Sequence, residues 1–240
     1  MTFDPQQNDQ LFQGAGNKAF SQARSQMSVP RSGVSRPAWL SQSSKQVAVL
    51  VRDCSGSMGG AKAIDATAAS QGLVDELADP ANRGGFEAAV INFESSGSLV
   101  NDVTPATELA GRVTPIHGGG GTNVASGLKI AAEVLGRSNF QSEDYLRPVV
   151  VVFSDGQTSD RDKAKTLATS IKAGADLVSV AFGTNADEDF LRSIATSPEH
   201  FYRCNDGRSL RAFFAAVGAT MCTSLQRGQN ATQALSQVRF

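Results

Sequence analysis

The sequence is poor in the residues that bind soft metals or form disulfides. Its 240 residues include two histidines and three cysteines, Cys54, Cys204 and Cys222, which lie far apart. Zinc sites use closely spaced pairs of such residues, and disulfide frameworks need an even number of cysteines. We therefore expect three free thiols and neither a structural zinc site nor a disulfide-stabilised fold.

The chain also lacks a strong charge of either sign and a long hydrophobic run. Its formal net charge is -1, which provides no global attraction to nucleic acid or to an anionic membrane. No apolar run approaches the roughly 18 to 20 residues of a membrane-spanning helix, and the first ten residues, MTFDPQQNDQ, have no basic and apolar leader pattern. The expectation is a cytoplasmic protein without a membrane-inserted segment.

Apolar residues are sparse in the first 45 residues, which are rich in Gln, Ser, Asn and Arg. Such a segment cannot bury enough apolar area to offset the entropy of ordering. Residues 1–45 are therefore predicted to be a polar tail that is disordered or that orders on a partner, with Trp39 and Leu40 as a docking point. Residues 46–225 are predicted to form one domain, and residues 226–240 a second polar tail that frays.

The central region contains a regular alternation of short apolar runs and amphipathic segments. Continuous Val-, Ile- and Leu-rich runs predict strands covered on both faces, and the segments between them predict the helical crossovers of a parallel sheet. The predicted fold is α/β, a doubly wound, mostly parallel sheet with helices on both faces. Strands are predicted at 47–51, 86–93, 98–103, 148–154, 176–182 and 200–204, and helices at 62–77, 123–135, 161–172, 188–195 and 209–224.

The first predicted helix has apolar residues that suit one helical face. These are Ile64, Ala68, Leu73 and Leu77, and their spacing follows the period of an amphipathic helix. We expect this face to pack against the sheet.

Three clusters carry polar residues: two follow predicted strands, and one is a glycine run that ends in a threonine. They are Asp53-Cys54-Ser55-Gly56-Ser57, Gly118 to Thr122, and Asp155-Gly156. In a doubly wound fold, ligands bind beyond the carboxyl ends of the strands, so the three clusters should share one rim. In the first cluster, alternate residues present a carboxylate and two hydroxyls, and Gly56 permits the turn.

Five side chains in these clusters are hard oxygen donors: Asp53, Ser55, Ser57, Thr122 and Asp155. A set without histidine or thiolate is typical of Mg²⁺ or Mn²⁺ rather than zinc. Two carboxylates and three hydroxyls leave the ion without a full protein shell, so water or an incoming carboxylate would complete its roughly octahedral geometry. An acidic side chain of a partner protein would suit that position.

The pattern resembles the von Willebrand factor A (VWA) family and its metal-ion-dependent adhesion site (MIDAS). The residues that carry the resemblance are DxSxS after the first strand, a Thr after a glycine-rich stretch, and SDG after a later strand, within about residues 46–225. The resemblance implies a six-stranded, mostly parallel sheet with a short antiparallel edge strand. It also implies metal contact through the hydroxyls of Ser55, Ser57 and Thr122, and direct or water-mediated contact through Asp53 and Asp155.

The family also implies a function, which is non-enzymatic protein interaction through an open metal position that a partner's Asp or Glu occupies. The rim that such a partner would meet is predicted to comprise His117, Gly120, Gly121 and Gly156. The chain's compactness resembles the small intracellular bacterial VWA proteins, including those of tellurium-resistance-type stress systems. The N-terminal tail is predicted to be available for a second partner.

Two residues depart from many relatives. Arg52 precedes Asp53, and its charge would weaken the ion's hold if its side chain turned towards the rim. Cys54 lies between predicted ligands, where it is either a redox-sensitive thiol or a small residue packed behind the loop.

Alternative functions stay open from the residues alone. A haloacid-dehalogenase-like phosphotransferase would also begin with Asp53, but that family has a second Asp where this chain has Ser55. A serine hydrolase would combine Ser55 or Ser57 with His117 and Asp155, yet Gly-x-Ser-x-Gly is absent. The glycine run is not followed by the Lys-Ser/Thr of a phosphate-binding loop. A last alternative is a degenerate metal site in a subunit that assembles through its N-terminal tail.

Overall fold

A single mixed sheet organises the part of the chain that the computed structural model describes, which is residues 44–137, 140, 142–155, 157–158 and 160–240. Its strands are β1 (Gln46–Asp53), β2 (Phe86–Phe93), β3 (Gly97–Pro105), β4 (Val149–Ser154), β5 (Asp176–Phe182) and β6 (Phe201–Cys204), in the order β3-β2-β1-β4-β5-β6. All neighbouring strands are parallel except β2 and β3, which are antiparallel. The predicted doubly wound, mostly parallel six-stranded sheet is confirmed.

Some predictions concern residues outside the described ranges. These are the N-terminal tail up to residue 43, with Trp39 and Leu40, and Gly156 of the predicted rim.

Burial explains why the strands have the composition they have. Every residue of β1 is buried, because the strand pairs with β2 on one side and β4 on the other and is covered on both faces. The residues of β3 are intermediate or exposed, as expected for a strand at the edge of the sheet. Continuous apolar runs therefore mark the central strands, and the mixed run near 98–103 marks the edge strand.

Helices cover both faces of this sheet. They are α1 (Ala61–Leu77), α2 (Ala106–Leu109), α3 (Val124–Arg137), α4 (Arg161–Gly174), α5 (Glu188–Ile194), α6 (Gly207–Arg227) and α7 (Thr232–Leu235). The core on one face includes residues of α1, α6 and α7, and the core on the other includes residues of α3, α4 and α5. Among the described residues, no helix combines the length and the apolar character needed to cross a membrane.

Side-chain caps set where two of the long helices begin. Asn123 Oδ1 accepts a hydrogen bond from Ser126 N at 2.9 Å and caps the start of α3. At the start of α6, Asp206 and Ser209 form a reciprocal capping box, and Gly228 ends that helix in the left-handed conformation at φ 64°.

The buried face of α1 differs from the prediction. It consists mainly of small residues, and Leu73 and Leu77 belong to it as predicted, whereas Ile64 is 72% exposed and Ala68 is also exposed. The reason is the close approach of α6: a Cβ added at Gly218 would lie 2.8 Å from the Glu76 side chain. The buried residues of α1 are Ala63, Ala66, Ala69, Ser70, Leu73, Val74 and Leu77.

Part of the segment 226–240, which is predicted to be a fraying polar tail, packs against the core in the structure. Ala231, Leu235 and Val238 are buried, because their spacing of three to four residues places them on one side of the terminal turn. The Phe240 ring packs against Phe213 with a centroid separation of 5.2 Å. These few apolar residues are scattered among Gln, Asn and Ser, so the composition of the segment alone predicts a tail.

The free energy of unfolding should depend on the side chains packed between the sheet and α6 and not on the exposed side of α1. Phe153 is fully buried and packs edge-on against Phe214 at 5.8 Å. We expect Phe153→Ala to lower the free energy of unfolding by about 3 to 5 kcal/mol. The matched Ile64→Ala substitution should change it by less than about 0.5 kcal/mol, since that side chain is exposed. Urea denaturation of both variants measures the difference, and equal losses would contradict this description of the core.

Candidate metal centre

The predicted ligands lie where the strand order reverses. β1 and β4 are neighbours, yet the connection after β1 passes through α1 on one face and the connection after β4 passes through α4 on the other. The two connections diverge and leave a crevice beyond the carboxyl ends of the two strands. Asp53 ends β1 and Asp155 follows the last residue of β4, so both carboxylates reach this crevice.

Asp53 forms the floor of the site. It is fully buried, its Oδ1 accepts a hydrogen bond from Ser55 N at 2.8 Å, and its Oδ2 accepts one from the Ser154 hydroxyl. Burial raises the pKa of Asp53, the hydrogen bonds from Ser154 and Ser55 oppose that rise, and the nearby charge of Asp155 adds to it. A cation above these carboxylates would favour their ionised forms.

The two predicted serine ligands are held together. Ser55 is buried and Ser57 is exposed, and their hydroxyl oxygens lie 3.0 Å apart within hydrogen-bonding distance. The short 3-10 turn Gly56–Met58 follows β1 directly and turns the chain so that both hydroxyls come to the same side. Ser57 is the most accessible of the five predicted ligands.

The glycine run is bound to this loop through its backbone. Gly119 N donates to Cys54 O at 2.9 Å, and Gly56 N donates to Gly120 O at 3.2 Å. Thr122 comes two residues later, and its carbonyl accepts a hydrogen bond from the Thr158 hydroxyl at 2.9 Å on the β4 side of the crevice. The contacts bring the second predicted cluster beside the first.

Two positions explain why the run is so rich in glycine. A Cβ added at Gly118 would lie 2.5 Å from Gly59 Cα, so a side chain there would force the two loops apart. Gly120 has φ 67°, and an added Cβ would lie 2.6 Å from a carboxylate oxygen of Glu94. Close approach and a left-handed backbone both require glycine here.

Asp155 has a carboxylate oxygen that a bound cation would stabilise. The residue is 6% exposed, and its buried Oδ1 has no hydrogen-bond partner among the residues that the structure describes. A buried carboxylate oxygen without a partner costs free energy, and a cation would satisfy it. No group of three His, Cys, Asp or Glu residues in the described ranges converges on a metal position. The donors at this rim are carboxylate and hydroxyl oxygens, which fit a hard cation.

Several residues of the site were missed from the sequence. Ser154 donates to Asp53, Thr158 supports the Thr122 loop, and Glu94 places a third carboxylate next to the glycine run. Glu94 directly follows β2, so the rule that placed Asp53 and Asp155 on the rim applies to it equally.

The side chains of Arg52 and Cys54 point to the face of the sheet opposite to the one towards which Asp53 points. Arg52 is fully buried, its Nε donates to Asn92 Oδ1 at 2.9 Å, and burial lowers its pKa to about 10. Cys54 is buried on the same side, and burial raises the pKa of its thiol to about 11. Successive strand residues point to opposite faces, so Arg52 does not turn towards the rim occupied by Asp53.

The histidines have different environments. His117 is exposed beside the glycine run, whereas His200 is buried between Ser197 and the carbonyl of Thr232 and has a packing role. The hydroxyls of Ser55 and Ser57 pair with each other, which is not the serine–histidine arrangement of a hydrolase.

Comparisons with known proteins agree on the fold. Residues 48–216 match the model of the von Willebrand factor type A domain. The chain is 26% identical over 196 residues to calcium-activated chloride channel regulator 4 of Homo sapiens, covering 79% of this chain and 20% of that protein. It therefore spans about a fifth of the length of this curated relative.

Solved structures give the same result. The vWF domain of the type V pili tip protein Mfa5 from Porphyromonas gingivalis is similar with a TM-score of 0.65 at 15% identity, covering 78% of this chain and 98% of that one. Proximal thread matrix protein 1 from the mussel byssus, in a structure with a zinc-occupied MIDAS motif, has a TM-score of 0.55 at 21% identity, covering 75% and 46%. At these identities the likeness concerns the fold.

The geometry of the glycine run predicts an effect of adding one methyl group. Gly120→Ala should lower the free energy of unfolding by at least about 1 kcal/mol, because its backbone is left-handed and the added Cβ meets the Glu94 carboxylate. Gly72→Ala, in the interior of α1 with nothing within 4 Å of the added Cβ, is the control and should stabilise by about 0.5 to 1 kcal/mol. Urea denaturation should give shifts of opposite sign, and a neutral Gly120→Ala would contradict the strained loop.

The environment of Cys54 predicts that its thiol reacts slowly with alkylating reagents. With a pKa of about 11, on the order of one thiol in a thousand would be ionised at pH 8, and burial hinders access as well. Iodoacetamide at pH 8 should modify Cys54 in urea and leave it almost unmodified in the folded protein, as measured by peptide mass spectrometry. Rapid labelling of the folded protein would restore the hypothesis of a redox-sensitive thiol.

Proposed function

The chain belongs to the von Willebrand factor type A family, and on this premise we propose that it is a non-enzymatic interaction module that captures an acidic side chain of a partner protein through a bound divalent cation. The observation that carries the proposal is the buried, unpartnered Oδ1 of Asp155, close enough to Asp53 to interact electrostatically with it. A cation in the crevice would satisfy both carboxylates.

The protein's own residues divide the task of holding the ion. Ser55, Ser57 and Thr122 would contact it through their hydroxyls, and Asp53 and Asp155 would act directly or through water. Because both oxygens of Asp53 already accept hydrogen bonds, its negative charge matters more than a free lone pair. Hard oxygen donors favour Mg²⁺ or Mn²⁺.

The charge of the rim supports capture that depends on a cation. Asp53 and Asp155 place two carboxyl groups at the crevice, and Glu94 adds a third beside the glycine run. A partner's carboxylate would be repelled by these groups on their own, and a divalent cation would reverse the sign of the interaction. The open coordination position then explains both the need for metal and the preference for Asp or Glu.

Ser57→Ala is the sharpest test, because Ser57 is the predicted ligand on the surface. Asp53→Ala would also leave Ser55 N and the Ser154 hydroxyl without their acceptor, which confuses metal loss with misfolding. We expect Ser57→Ala to weaken Mg²⁺ binding by at least about tenfold while the unfolding midpoint stays close to that of the wild type. Isothermal titration of the full chain with Mg²⁺ measures this.

Asp144→Ala is the matched control, since this exposed carboxylate lies beside Lys45 at the amino end of β1, away from the crevice. It should bind Mg²⁺ as the wild type does. Proteins that co-purify with the chain in Mg²⁺ should be released by EDTA and should not be retained by Ser57→Ala. Equal retention in Mg²⁺, in EDTA and by Ser57→Ala would rule out capture through a metal.

A further inference from the structure

An open apolar groove lies beside the candidate metal centre, between α1 and the segment 111–118. Its volume is about 740 Å³. Its apolar lining consists mainly of Ala63, Ile64, Ala68, Pro115 and Ile116, and none of the described residues that line it is an Asp, Glu, Lys or Arg. The groove therefore suits an uncharged, apolar group.

Three hydrogen bonds to side chains of α1 hold the segment 111–116, which forms the opposite wall of the groove. Thr67, Gln71 and Asp75 are spaced four residues apart on one side of the helix, and their side chains accept hydrogen bonds from the backbone of the facing segment. The three bonds are from Ile116 N at 2.9 Å, Val113 N at 2.9 Å and Gly111 N at 3.0 Å. Because the wall is already fixed, an incoming side chain need not order it, and less affinity is lost to entropy.

Ile64 is the exposed apolar residue of this groove. Only two large hydrophobic residues in the described ranges are strongly exposed, Ile64 at 72% and Phe240 at 48%. The Phe240 ring packs on Tyr202 and Phe213, whereas Ile64 borders an open groove. Single exposed apolar residues are common on protein surfaces, but Ile64 borders an apolar groove and extends its apolar surface.

The groove is continuous with the metal rim. Gly60 and Gly118 line its end, and Gly118 packs directly against Gly59, two residues beyond the predicted ligand Ser57. Ser57 and Gly60 are three positions apart in the chain, so their Cα atoms lie at most about 11 Å apart. An extended partner segment covers that distance in about three or four residues.

We propose that this groove binds an aliphatic or aromatic side chain of the same partner segment whose acidic residue is captured by the cation, two to four residues away in the partner's sequence. The proposal rests on the proposed function and narrows its partner to a short acidic–apolar motif. The cation makes binding depend on metal. The uncharged groove adds affinity and selects the flanking residue.

The test uses the full-length chain and a peptide library with a fixed central Asp and random flanking residues. Peptides captured in Mg²⁺ and eluted with EDTA should be enriched in Leu, Ile or Phe two to four residues from the Asp. An enriched peptide should bind about tenfold more tightly than the same peptide with Ser in place of the apolar residue. Ile64→Ser should abolish both effects without changing the affinity for Mg²⁺, and the matched Ile64→Leu control should retain them.

The outcomes separate the groove from the metal site. Enrichment that survives Ile64→Ser, or an absence of apolar enrichment in peptides that do bind through Mg²⁺, would overturn the groove proposal alone. Apolar enrichment that needs Ile64 but persists in EDTA would support the groove and overturn capture through the cation. Failure of the Asp peptides to bind under either condition would overturn both. A dimer in sedimentation analysis that Ile64→Ser dissociates would make a second copy the occupant and overturn the peptide proposal.

Discussion

Strand β1 is paired on both sides and covered on both faces, and it ends at a fully buried aspartate. Its pairing with β4 creates the point at which the strand order reverses, and the crevice exists because the connections leave that point towards opposite faces. The apolar run that buries the strand therefore also places Asp53 beneath the crevice. Core packing and the position of the site have the same cause.

The two carboxyl groups at the crevice are only partly stabilised by the protein groups around them. Asp53 is desolvated and its pKa is raised by burial, although two hydrogen bonds oppose the effect. Asp155 retains a buried oxygen without a partner. A protein that had only to fold would be more stable with these groups paired or replaced by apolar ones. Both groups lie at the crevice, where the proposed cation would satisfy them.

Helix α1 connects the core to the surface beside the site. Its buried face consists mainly of small residues, α6 approaches it closely at Gly218, and Ile64 lies on the exposed side of the helix. Beside Ile64, Thr67, Gln71 and Asp75 fix the segment that forms the opposite wall of the groove. The shape of the outer surface is thus a consequence of how tightly the inner face packs.

The sequence by itself determined the strands, the long helices, the strand–loop positions of Asp53 and Asp155, and the resemblance to the VWA family, because these depend on local periodicity and on residues close together in the chain. Tertiary structure decided which face of α1 is buried, the packing of residues 231–238, and the roles of Glu94, Ser154 and Thr158. A helical period shows that a face exists but not how closely another helix approaches it. Likewise, Ser154 and Asp53 are 101 positions apart in the chain, and they meet only because β4 pairs with β1 in the sheet.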